Sequence, residues 1–492
     1  MRVVKAEQMT LGEVDIADIV FDKKSRDDIP KILRGLQHLY LNKSLREALF
    51  VLLEAELLPK IDKTSGRPGM PLWNILVCAV LRLDLNMDYD RLHELVNQHV
   101  TLRQMLGHGP FNEHQYSYQS LVDNLRLFTP ELLDKINTLV VQEGHVLVKK
   151  GGAALRGRCD SFVVETNVHY PTDITLLLDA LRKSLTLIGR WCEEAGLSDF
   201  RQYRHNIKAF KRLVRAAQMK KRCKAKETEG GGLDPAQQAH QTLLESARRQ
   251  LDKVGRTLTV LQQIRPDARC LKEIQDFIAH AKRQIEQIER RVIHGDVIPH
   301  AEKVFSLFQP HTEWISKGKA GVPVELGVRV GVVEDQYRFI LHHRVMARET
   351  DDKVAVAIVR DTRHKFPDLR ACSFDKGFHS PANQQALAEQ LDQVVLPRKG
   401  KLSQERSAIE HSAEFKQARR NHAAVESAIN ALEVHGLDRC PDHGIVGFKR
   451  YVALAVVARN IHRIGDILWQ QEQAREKRRR AAKQGWQNKS AA

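Results

Sequence analysis

Two stretches of this chain carry a helical seam of unusual regularity. Leu244, Ala247, Leu251, Val254, Leu258 and Leu261 step by 3, 4, 3, 4, 3, and Leu271, Ile274, Ile278, Ala281, Ile285, Ile288 and Val292 repeat the alternation. Such spacing lines one face of a helix with apolar side chains at a heptad period. Pro266, in IRPDAR, separates the two seams. A proline at the break predicts an antiparallel helical hairpin within one chain; an intermolecular coiled coil is the rival, weakened by the shortness of each arm. Strand-like segments flank this helical region, LRGRCDSFVVETNV before it and PVELGVRVGVV after it. A sheet interrupted by a long helical insertion is the architecture such an order demands.

From residue 322 the pattern alternates. VPVELGVRVGVV and YRFILHHRVM read as a strand hairpin around Glu334-Asp335-Gln336, DDKVAVAIVRDTRHKF as a helix and LRACSFD as a strand. SPANQQALAEQL follows as a helix with Ser380 as its cap and Pro381 behind it, and QVVLP as another strand. With the earlier strand this makes an α/β layer, a mixed sheet of about five strands with helices.

The first 150 residues are helical throughout. Thr129, Pro130 and Glu131 in FTPELLDKI form a clear helix start. The pair LWNILVCAVLRL and DYDRLHELVNQH, around the turn DLNMD, fits either a helix-turn-helix or a simple packing unit. The expected organisation is residues 1–150, an all-α region, with DNA binding its expected role where that pair is a helix-turn-helix; 151–170 with 322–470, the α/β domain; 171–321, the helical insertion; and 471–492, a basic disordered tail.

Charge narrows the function. Lysine and arginine number 78 against 61 acids, a net charge of +17, which points to a polyanion partner. The run KAFKRLVRAAQMKKRCKAK is dense in one sign and suits phosphate contact as well as a solvated helix face. Seven cysteines are scattered with no CxxC pair, which argues against a disulfide framework and a zinc ribbon. Cys440 and His443 in RCPDHG have the spacing of half a zinc site, but no second pair lies near and the segment reads as a loop. No run of about 18 apolar residues is present, and acids occupy the amino terminus where a signal peptide is apolar, so an intracellular protein without a membrane partner is expected.

Three acids stand where a sheet would gather them. Asp160 lies in the first strand, Asp375 closes the strand of CSFDKGFHS, and Glu426 edges an apolar stripe of Val425, Ala428, Ile429 and Leu432 on a helix. Gathered carboxylates repel unless divalent cations are shared among them, and two cations about 4 Å apart can drive in-line attack on a phosphodiester. Asp173, beyond Pro171, is the rival first acid, and Glu165 faces the other side of the strand from Asp160 by parity.

The segments GRPGMPLWNILVCAVLRLDLNMDYDRLHELVNQHVTLRQMLGH, CDSFVVETNVHYPTD, WISKGKAGVPVELG, SFDKGFHS and HAAVESAINALEVHGLDRCPDHGIVGFKRYVALAVVARNIHRIG together resemble bacterial insertion-sequence transposases of the DDE type, nearest the ISNCY-type group. The resemblance runs from about residue 60 to about 470. It implies a ribonuclease-H-like catalytic domain with Asp160, Asp375 and Glu426 as the catalytic, metal-binding triad. It also implies two Mg²⁺ ions, with Mn²⁺ able to substitute, and double-stranded DNA as partner, both terminal inverted repeats and target. An active complex that is at least a homodimer, in the nucleoid-associated cytoplasm of a bacterium, follows from the same likeness. Two departures stand out: the long insertion follows the first strand, and the helix of Glu426 carries Arg419, His422 and Glu433 where relatives have tyrosine, arginine and lysine. Lys317, Lys319, Lys376, Arg398, Lys399, Lys401 and Arg420 are the candidates for DNA contact. A ribonuclease-H-like nuclease without strand transfer and a catalytically inactive DNA-binding relative are the alternatives.

Overall fold

A computed structural model describes the chain apart from residues 1, 6–7, 10, 59–68, 150, 223–233, 265–267, 317–322 and 491–492. It divides into two compact units, Met1–Asn167 with Ile315–Ala492, and Val168–Trp314. Among the described residues no helix is long and apolar enough to cross a membrane.

A mixed sheet forms the heart of the first unit. Its strands are β1 (Leu155–Thr166), β2 (Glu313–Ser316), β3 (Val324–Glu334), β4 (Ile340–Met346), β5 (Leu369–Phe374), β6 (Gln393–Val395) and β7 (Arg439–Cys440). The main path runs β2-β3-β1-β5-β6, with β4 also on β3 and β7 also on β1, seven strands where about five are expected. The two additions, β2 and β7, are four and two residues long, too short to show a period in sequence. β1 pairs antiparallel with β3 and parallel with β5 and β7. On that second edge β5 covers β1 only as far as Cys159, and β7 takes over at Glu165, so the strand edge is open between them.

β3 is a nearly continuous apolar run, and Val328, Val330, Val332 and Val333 are all buried, as a strand covered on both faces requires. The helix Asp351–Lys365 packs Val354, Ala355, Ile358, Val359 and Thr362 inward. Gly331 makes room for it, since a Cβ there would lie 2.9 Å from Ile358 Cδ1.

The amino-terminal helices share this unit and do not form a unit of their own. Their apolar residues, those of the sheet and those of the long helix Gly444–Ser490 belong to one contiguous core. The long helix is buried on almost every side from Tyr451 to Ala458, which only neighbours all round can accomplish. Polar anchors add direction: Asn460 accepts from Ile340 N (2.9 Å) and donates to Asn137 Oδ1 (2.7 Å), tying that helix to β4 and to the helix Pro130–Val148. Thr129 caps the latter as expected, accepting from Leu132 N. Every residue of the helix Leu72–Asp84 is buried, so the first half of the helix-turn-helix pattern is a core element. Residues 471–490, expected to be disordered, continue the carboxy-terminal helix.

The second unit is a bundle of the helices Asp173–Glu194, Tyr203–Arg222, Pro235–Ile264 and Ala268–Ile288. The heptad seams face inward as expected, but the hairpin is not closed on itself. Leu244, Ala247 and Leu251 meet Leu177, Leu181, Phe210 and Val214, while Val254, Leu258 and Leu261 meet Leu185, Ile188 and Trp191. Among the described residues these seam positions are covered by the chain's own helices. Pro266 lies outside the described residues. In the basic run Phe210, Val214 and Ala217 are buried, with Lys208, Lys211, Arg212 and Arg215 on the exposed face.

Candidate functional site

The open stretch of the β1 edge is where the acids meet. Register pairs Cys159 with Phe374, so the next position sets Asp160 beside Asp375, one step past the end of β5. Neighbouring strands lie ~4.8 Å apart, and residues in register project to the same side of the sheet. Asp375 then enters the single turn Lys376–Phe378 with its side chain uncommitted to capping. Carboxyl ends of parallel strands, where a sheet edge opens, are the usual place for a ligand in α/β folds.

Glu426 reaches the same place from the helix Ala424–Leu432, which is seated by buried Val425, Ala428 and Leu432. Burial first, and then the charges of Asp375, Asp351 and Glu426, push the Asp160 carboxyl up to about 6 against a hydrogen bond from the Ser161 backbone N–H. That bond is 2.7 Å long and ends on Asp160 Oδ1. Asp160 therefore feels all three other carboxylates.

Asp351 is the member that sequence reasoning missed. It opens the helix Asp351–Lys365, and its Oδ1 accepts from Ser161 Oγ at 2.6 Å. Gly377 lets the turn after Asp375 close over it, for a Cβ at that position would lie 2.9 Å from Asp351 Oδ2. In sequence an acid in the first turn of a helix has an ordinary explanation in the helix dipole, which hides any second role.

His422 borders the cluster, with Nδ1 3.0 Å from Ser373 Oγ. Burial lowers its pKa, the fields of Arg158 and Arg419 add to that, and Asp375 and Glu426 oppose them. Arg158 shares a strand face with Asp160 and donates from Nη2 to Asp335 O at 2.9 Å. Of the basic candidates, Lys376 is exposed next to Asp375, and Lys399 Nζ donates to Gly377 O at 2.9 Å, bringing its loop onto the same turn. Arg420 is exposed on the helix Ala413–His422, and Lys401 is exposed in the loop after β6. Arg398 is half-buried, its backbone N–H donating to Glu410 Oε1 at 2.9 Å. Lys317 and Lys319 lie outside the described residues.

The rival residues go elsewhere. Asp173 pairs with Arg291 at 2.9 Å in the second unit, and Glu165 pairs with Arg439 at 3.0 Å. Cys440 is buried, with its thiol pushed up to about 12 chiefly by burial, the opposite of what a metal thiolate needs.

An all-oxygen donor set suits a hard cation such as Mg²⁺. Among the described residues no three of these carboxylates bring one oxygen each within 4.8 Å of one another. Asp375 and Glu426 are both exposed. Comparison of the chain with protein-family models, curated proteins and solved structures finds no match.

Proposed function

We propose that this chain is a DNA transposase of the DDE class, with a ribonuclease-H-like sheet as its catalytic domain. The observation that carries the reading is the convergence of Asp160, Asp375 and Glu426, from two adjacent parallel strands and one helix, into a common field that raises the Asp160 carboxyl. Isolated surface acids have no reason to be gathered at this cost, whereas acids that await a cation do. Asp160, Asp375 and Glu426 would hold Mg²⁺, which when bound supplies activation of the attacking oxygen and charge neutralisation at the leaving one.

The protein's own residues set the rest. Burial at Asp160 keeps bulk water from one side of the cluster, and the neutral His422 ring adds no competing positive charge there. Lys376, Lys399, Lys401 and Arg420 lie on exposed surface near the strand ends, where a phosphate backbone would run, and the net charge of +17 favours such a partner. Strand transfer needs two DNA ends held together, so the working complex would contain at least two chains, acting on chromosomal DNA in a bacterial cytoplasm.

The test is a Mg²⁺-dependent cleavage and joining assay on DNA carrying the sequences that flank the coding region, with Asp375→Asn alongside wild type. Joined products that fall by roughly a thousandfold in the variant are expected, the scale on which removal of one electrostatic stabiliser acts. Nicking without joining would indicate a nuclease. Equal activity in both proteins would sink the triad.

A further inference from the structure

A second group of ligating side chains lies in the first unit, apart from the acidic cluster. Asp84 ends the helix Leu72–Asp84, His435 sits in the turn Glu433–Leu437, and His462 lies within the helix Gly444–Ser490. One ligand atom from each falls within 4.8 Å of the other two. Asp84 is 1% exposed and His462 is 4% exposed.

These groups are poorly satisfied as they stand. Both carboxylate oxygens of Asp84 and both ring nitrogens of His462 are buried without a hydrogen-bond partner. His462 Nδ1 is nevertheless 2.7 Å from Asp84 Oδ2, in ion-pair contact with it. Four-coordinate zinc, with bonds of about 2.0–2.1 Å, separates its ligand atoms by ~3.4 Å, so only small movements are needed here. His435 Nδ1 bonds the main-chain carbonyl of Asp84 and lies 4.0 Å from its Oδ1, which holds the ring against the other two groups.

The surrounding charge also asks for a cation. Asp28 and Asp466 each lie 3.8 Å from His462 Nε2. Lys31 answers them, 2.7 Å from Asp28 and 3.9 Å from Asp466. Three carboxylates thus face one ammonium and the His462 ring, a surplus of negative charge that a cation would answer.

We infer that Asp84, His435 and His462 form a structural site for a divalent transition metal of the zinc type. Two imidazoles and one carboxylate suit zinc and its neighbours better than Mg²⁺, which takes oxygen ligands. Burial denies a substrate access, so the role is to staple three segments distant in sequence. One of them is the turn that directly follows the helix of Glu426. The site does not depend on the proposed reaction.

Metal content of the tag-free full chain, purified without added metal and dialysed, is the direct measure. About one zinc per chain is expected, with a melting temperature several degrees lower after stripping with EDTA and restored by Zn²⁺ but not Mg²⁺. His435→Gln, at a half-buried position, should lower the retained metal by roughly tenfold or more. Should Asp84→Asn fail to fold, Co²⁺ titrated into the stripped wild type gives an independent reading through its visible absorption bands. A chain that holds no stoichiometric metal, melts identically with and without Zn²⁺ and shows no Co²⁺ bands would overturn the site and leave Asp84 and His462 as a buried ion pair.

Discussion

Asp160 is held where a bare carboxylate is disfavoured. Burial first, then Asp375, Asp351 and Glu426, lift its folded value to about 6 from the ordinary 3.8. A raised acid contributes stability in full below the unfolded value and loses it as the pH climbs through the folded one. In EDTA at about pH 7.5, Asp160→Asn should therefore stabilise the protein by up to about 3 kcal/mol, given ~1.4 kcal/mol for each tenfold change in proton affinity. That gain should shrink as the pH falls through about 6 and vanish near pH 4. Denaturant melts across this range would read it, and an advantage independent of pH would mean that Asp160 carries no ionisation penalty. Mg²⁺ should stabilise the wild type and not the variant. In the sequence Asp160, Asp375 and Glu426 each look like ordinary surface acids, and only the resemblance to a family singles them out together. Asp351 is hidden by its helix position, and Asp84, His435 and His462 by their separation along the chain, which only tertiary packing closes.

At the scale of elements, the strands of β1, β3, β4, β5 and β6 are legible from period and turn residues, and the capped helices from Thr129 and Ser380. What sequence conceals is which elements touch. The helix Ile29–Leu41 crosses the helix Gly444–Ser490 at glycines on both sides: a Cβ on Gly465 would lie 1.9 Å from Lys31 O, and one on Gly35 would lie 2.3 Å from Ile461 O. Backbone cannot yield as a side-chain tip can, so Gly465→Ala must push the helices apart. A loss of about 2–3 kcal/mol is expected in denaturant melts. Gly255 supplies the contrast, being exposed within the helix Pro235–Ile264 with nothing within 4 Å of its Cβ position. Gly255→Ala should raise stability by about 0.5–1 kcal/mol, the ordinary helix preference. If both substitutions acted alike, the close crossing would not be what holds those helices together.

For the whole molecule, the amino-terminal helices fall with the sheet in one compact unit, and Val168–Trp314 forms the other. Residues 1–150 join the sheet because the long carboxy-terminal helix needs apolar neighbours on every side, a demand that no local pattern records. The seams of the insertion find partners among its own helices: among the described residues the two apolar clusters of Val168–Trp314 share no residue with the core of the first unit. Cores that share no side chains have no obligation to melt together. Two unfolding transitions are therefore expected in calorimetry. Leu251→Ala, which empties a buried seam position in the bundle, should lower one of them at a cost of about 3 kcal/mol and leave the other in place. The core substitution Val330→Ala, in β3, should do the reverse. A single transition that moves as a whole in both variants would show that the bundle and the sheet unfold as one cooperative body, and that the insertion is coupled to the acidic site through more than chain connectivity.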